Sequence, residues 1–265
     1  FFICSLIAAA AANAAQSCAS VSPETCNIAH SLGRGVNLGN MLDAPREGDW
    51  GEKWDPALVN LVAGPFKTVR VPVRWSNHAA KTADATIDEE FARRVDQVVD
   101  AFLAKGMYVI LDVHHYTQLS GDKQHPNEFQ VDPAVLEQRL VNLWKQIATR
   151  YKDRSPKLLF ELLNEPHGRM NGEPWNQLAA QVLSTVRATN PTRTVLIERK
   201  SNAGAIGRKI TFDRSRTAPP PTQPETASAW KPWCDIAQTS TDWSMRASTK
   251  DGIAQSCSVS GSPRM

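Results

Sequence analysis

Between Leu32 and about Ile197, short apolar runs rich in β-branched residues alternate with longer segments whose apolar residues recur at helical spacing. No other feature restricts the fold as much. Strands that are apolar throughout are buried on both faces, and a helix after each strand returns the chain to lay the next one parallel. Strands are expected over Gly33–Leu38, Thr68–Val73, Tyr108–Val113, Leu158–Leu163 and Thr194–Ile197. Between them run stripes of Phe91, Val95, Val98, Val99 and Phe102, then Leu136, Leu140, Leu143, Trp144 and Ile147, then Trp175, Leu178, Val182 and Val186. These stripes are core packing.

An α/β sheet of this kind is either a (β/α)8 TIM barrel or a doubly wound sheet. GRGVNLGN, the first strand with its exit, lacks the G-x-G-x-x-G order of a phosphate loop, so the barrel is preferred. Only about the first five β/α units are recognisable. Asn202 to Phe212 holds at most one weak element, and the C-terminal region is aberrant. A barrel domain is therefore expected over residues 16–212. Residues 213–265, with Pro219-Pro220-Pro221 and a Ser/Thr/Trp-rich stretch, read as an irregular tail of the kind a shifted reading frame produces.

Composition removes several function classes. A net charge of +3 is neutral on acidic partners, but the sequence has no basic stripe of the kind nucleic-acid binding needs, and no apolar run reaches the roughly 20 residues of a membrane span. The first fifteen residues are apolar and run through Ala12-Asn13-Ala14, an A-x-A pattern that predicts a signal-peptide remnant and a secreted or periplasmic protein. Cys18 and Cys26 are close enough to staple the N-terminal loop in an oxidising compartment, although their spacing alone leaves the pairing open. A monomer is expected.

The chemistry gathers at the carboxyl ends of four successive strands: Asn37 and Asn40, Arg70 and Arg74, His114 and His115, Asn164 and Glu165. In a barrel these ends share one face, and that face carries the active site. LLFELLNEPHG is the sharpest case, a buried strand delivered into Asn164-Glu165-Pro166. Proline cannot donate to a ladder, so the strand turns there. The set suits glycosidic cleavage. Glu165 is the candidate general acid. Asn164 can bond a sugar 2-hydroxyl, and Arg70 can hold a carboxylate ionised. Arg70 is placed inside, with Arg74 as the alternative. His114 and His115 can orient the network or bind hydroxyls. As neighbours on a strand they should face opposite ways, and no H-x-H or H-E-x-x-H spacing supports a metal, so neither metal nor cofactor is expected. Asp112 reads as a structural or supporting acid, and Trp50 and Trp75 as packing residues or sugar platforms.

GVNLGN, VRVPVRW, ILDVHHY and LLFELLNEPHG, in this order and spacing, resemble glycoside hydrolase family 5, the cellulase-type family, over about residues 32–210. The resemblance implies a (β/α)8 barrel and a retaining endoglucanase cutting internal β-1,4 linkages of a β-glucan without a cofactor. Glu165 would be the acid/base, with Arg70, His114, His115 and Asn164 at network or substrate positions and Asn37 near the sugar-binding mouth. A β-mannanase and a catalytically inactive, carbohydrate-binding remnant are the alternatives. Retention needs a second carboxylate about 5–5.5 Å from the first. The family carries it in a G-E-[FY]-G setting that is missing from this sequence, where Glu173, Glu198 and Glu225 are the only glutamates after Glu165.

Overall fold

A computed structural model describes residues 23–124, 126–128 and 130–199, together with the backbone of strand 209–213. Helix α1 (Pro23–Leu32) leads into strand β1 (Gly35–Asn37), followed by α2 (Ala57–Ala63), β2 (Thr68–Val71), α3 (Glu89–Ala104), β3 (Tyr108–Asp112), α4 (Leu136–Tyr151), β4 (Leu158–Glu161), α5 (Glu173–Arg187), β5 (Val195–Arg199) and β6 (Lys209–Asp213). The sheet order is β1-β2-β3-β4-β5-β6. Strands β1 to β5 are parallel in sequence, with Asn37 beside Arg70 and Asp112 beside Glu161.

The helices follow from their apolar spacing and end signals. Helix α3 starts where the Asp88 carboxylate accepts the Phe91 N–H at 2.8 Å, a side-chain cap worth about 1 kcal/mol. It buries Val95, Val98, Val99 and Phe102 and ends at Gly106, whose φ of +71° suits glycine. Helix α4 buries Leu140, Leu143, Trp144 and Ile147, and α5 buries Trp175, Leu178, Val182 and Val186. Their partners on the sheet are alternate residues of the outer face, including Val69, Val71, Val109, Leu111, Leu158 and Phe160.

The opposite, inner face differs from one end to the other. Near the start of the strands Ile110, Leu159 and Leu196 pack against Leu32 of α1, and Thr68 Oγ1 donates to the Leu32 carbonyl at 2.6 Å. Helix α1 therefore plugs the amino-terminal end. At the carboxyl end the same alternation brings Arg70, Asp112 and Glu161 inward, all buried. Ladder bonds run past the strand ends: His114 N–H donates to Val73 O at 2.8 Å and Asn164 N–H to Val113 O at 2.9 Å.

Strand β6 is the weak element expected within residues 202–212, and it lies antiparallel to β5. Only residues 200–208 join the two strands. That is shorter than the dozen or so residues a parallel crossover needs. Among the described residues the sheet is open, with β1 and β6 at its edges. The expected signal segment, the irregular tail and Cys18 lie outside the described residues. Cys26 is disulfide-bonded.

Candidate active site

Arg70 is the centre of the polar cluster at the carboxyl ends. Its Nε and one terminal nitrogen donate to the two oxygens of Glu161, both at 2.8 Å, the fork-to-fork geometry that guanidinium and carboxylate share. The same cation donates to Asn37 Oδ1 at 3.0 Å and Asn164 Oδ1 at 2.9 Å, and it pairs with Asp112. Because Arg70 has only donors, it fixes both amides with oxygen inward and turns their NH₂ groups outward.

Asp112 is fully buried and accepts the Val73 N–H at 3.2 Å. Burial pushes its carboxyl up to about 6, against the opposing pull of Arg70. His114 Nδ1 lies 2.9 Å from Asp112 Oδ2. Burial, reinforced by Arg70, lowers the imidazole to about 3, so at neutral pH the ring is uncharged. A neutral ring facing a carboxylate through Nδ1 carries its proton there and leaves Nε2 as an acceptor.

The backbone at this end is unusual. Asn40, His115 and Glu165 all have positive φ, 68°, 49° and 45°. Asn and His visit that region more readily than most residues, whereas Glu is strained there, and such strain gathers at functional sites. For Glu165 the reversal follows directly on Asn164, which Arg70 holds, and precedes Pro166. Glu165 is half-buried, and its carbonyl accepts from His167 Nδ1 at 2.5 Å. His167 Nε2 lies 2.6 Å from Asp122 Oδ2 on the neighbouring loop.

For His115 the reversal overturns the expectation that the adjacent histidines face opposite ways. The two rings meet edge to face, 4.4 Å between centroids, and the outer edge of His115 rests on Trp50 at 5.3 Å. Asp43, on the loop after β1, brings Oδ2 to 3.7 Å from His115 Nε2. Burial raises the Asp43 carboxyl and depresses His115.

The sequence-derived candidates thus divide. Arg70, Asn37 and Asn164 share direct bonds, and His114 joins them through Asp112. His115 lies on the other side of His114. Arg74 is also buried, but it serves the surrounding loops: Nε donates to the Asp43 carbonyl at 2.7 Å, and the guanidinium pairs with Glu128 and lies 5.2 Å over Trp50. Trp75 is fully buried and donates to the Asp112 carbonyl at 3.1 Å, which makes it packing. Glu173 is exposed at the start of α5 and bonds Gln177, away from the cluster. Glu225 and the side chain of Glu198 lie outside the described residues. Sequence reasoning missed Glu161, Asp43 and Glu128. Glu161 had a signal, since a lone charge at an inward position of LLFELL requires a buried partner.

The chain matches the family model described as Cellulase (glycosyl hydrolase family 5) over residues 32–251. It is similar to Endoglucanase H of Acetivibrio thermocellus, 39% identical over 171 residues, which covers 64% of this chain and 18% of that protein. Similarity to Endoglucanase A of Ruminococcus albus is 34% over 174 residues, covering 58% of this chain and 46% of that one. The solved structure of Thermotoga maritima Cel5A in complex with cellobiose superposes with a TM-score of 0.59 at 39% identity, covering 65% of this chain and 53% of that chain. The chain thus spans about half or less of the length of these relatives. The parallel β1–β5 and their helices are of the (β/α)8 TIM-barrel type.

Proposed function

Because the chain belongs to the Cellulase family, glycosyl hydrolase family 5, we propose that it derives from, and acts as, an exported retaining endoglucanase that cleaves internal β-1,4 linkages of a cellulose-like glucan. Glu165 is the general acid/base of this reading. The observation that carries it is the placement of Glu165 on a left-handed residue directly after Asn164, whose amide is oriented by Arg70. That turn sets a half-buried Glu165 at the mouth of the sheet, within the electrostatic reach of His114.

In a retaining reaction Glu165 passes its proton to the departing glycosidic oxygen as a second carboxylate bonds the anomeric carbon, and it then takes a proton from the water that displaces that carboxylate. Asn164 offers its outward NH₂ to a sugar 2-hydroxyl, a bond that strengthens as positive charge develops on the ring. Arg70 pairs with Glu161 beside that bond and opposes the rise that burial imposes on the Asp112 carboxyl. His114 and His115 present neutral rings to hydroxyls, and Trp50 borders them. Export is supported by the A-x-A pattern near residue 13 and the bonded Cys26. Among the described residues, no helix is long and apolar enough to cross a membrane.

A second reading has its own support. Among the described residues the carboxylates in this network, Glu161 and Asp112, are bound to Arg70, and none is identified as the nucleophile that retention needs. The chain would then bind glycan without cutting it. Turnover of carboxymethylcellulose should fall by about 10²-fold or more in Glu165→Gln, given the usual worth of a general acid. Cello-oligosaccharide binding without any turnover in the unsubstituted chain would favour the binding protein. Equal turnover with and without Glu165 would sink its assignment. The same assay with a β-mannan decides between glucan and mannan.

A further inference from the structure

The left-handed turn at His115 gathers donors that an ordinary strand end would separate. One ligand atom from each of Asp43, His114 and His115 lies within 4.8 Å of the other two. They come from two loops, those after β1 and β3, so the cluster closes across the mouth of the sheet rather than along one segment.

A second observation gives the cluster direction. His114 is held from behind by Asp112 through Nδ1, at 2.9 Å. This is the carboxylate–histidine arrangement that fixes a ligating imidazole and turns its other nitrogen outward. Asp43 is held likewise, its Oδ1 accepting the Met41 N–H at 3.0 Å while Oδ2 faces His115. At His114 the carboxylates of Asp43, Glu161 and Glu165 set negative potential against that of Arg70.

We propose that Asp43, His114 and His115 form a binding site for a divalent transition-metal ion of borderline softness, such as Zn²⁺ or Co²⁺, with two imidazole nitrogens and one carboxylate oxygen as ligands. Two nitrogens and one oxygen suit these ions and not Ca²⁺ or Mg²⁺, which take oxygen cages. Ligand bonds of about 2.0–2.2 Å require the donors to draw in by roughly an ångström. His115 has the freedom to do so, with 38% of its side chain exposed. Binding stands apart from the glycan reading, whereas any loss of turnover on loading would rest on it.

Co²⁺ titration of the full 265-residue chain, followed by visible absorption, tests the site directly. Ligand-field bands should grow to one equivalent per chain, Zn²⁺ should abolish them, and Ca²⁺ or Mg²⁺ should not. Asp43→Asn and His115→Ala should each weaken Co²⁺ binding tenfold or more. His115 is the less buried of the two, so its variant carries the test should Asp43→Asn fail to fold. Absence of the bands, their persistence at unchanged affinity in the folded variants, or equal displacement by Ca²⁺ would overturn the proposal.

Discussion

Strand β4 is held at each end by a buried arginine, and the two do different work. At its start Arg193 donates to backbone carbonyls of Tyr151, Ser155 and Leu158 at 2.7–3.0 Å, to Asn190 Oδ1 at 2.7 Å, and stacks over Phe160. Burial lowers it to about 10, so it stays cationic at working pH. At the other end Arg70 meets Glu161, Asp112, Asn37 and Asn164. Carbonyl dipoles are fixed and carry no net charge, so Arg193 is a structural clamp. Carboxylates are full charges linked to protons, so Arg70 manages charge at the mouth where Glu165 sits. The same residue type, equally buried, is told apart by what it touches.

The difference predicts unequal costs. Arg70→Met leaves Glu161 and Asp112 buried without a cation, and breaking such a pair costs about 3–5 kcal/mol. Urea unfolding at pH 7 measures it. Arg70→Lys should recover part of that loss but none of the amide orientation, since an ammonium lacks the planar fork. Arg193→Met removes hydrogen bonds to neutral groups, strands no buried charge, and should cost less. It should also leave cello-oligosaccharide affinity unchanged, because Arg193 lies at the far end of β4. A larger loss for Arg193→Met than for Arg70→Met would break the distinction.

Much of this was legible without coordinates. Apolar alternation located β1 to β5, because burial on both faces leaves few other patterns, and the polar residues at the strand ends followed from strand order. Alternation with Val71 and Val73 holds for Arg70 and Arg74 alike, so the pattern by itself did not decide between them. What escaped were contacts set by loops. Asp43 and Glu128 sit in segments without a period, so no spacing rule finds them. The positive φ of Glu165 is a tertiary consequence, since glutamate does not favour it. The antiparallel β6 follows from the shortness of residues 200–208, which no hydrophobic period reveals.

The smallest expected effect concerns protons, and it separates the two ends of β4 most cleanly. His114 has a folded-state pKa of about 3, below its ordinary 6.5, through burial and Arg70. The neutral ring therefore stabilises the fold above pH 6.5, and that contribution is lost as pH falls toward 3. Asp112, raised from 3.8 to about 6, runs the other way: its contribution is present at low pH and lost as pH rises through 6. His114→Asn keeps an N–H for Asp112 but removes the imidazole titration. Unfolding midpoints at pH 7 and pH 4.5 should show the unsubstituted chain losing more stability on acidification than His114→Asn does. The Asp112 contribution, present in both, largely drops out of that difference. Arg193→Met should track the unsubstituted chain at both pH values, because nothing it touches titrates in that range. An identical pH slope in His114→Asn and the unsubstituted chain would mean that His114 is not held neutral, and that the mouth of the sheet is as indifferent to protons as its base.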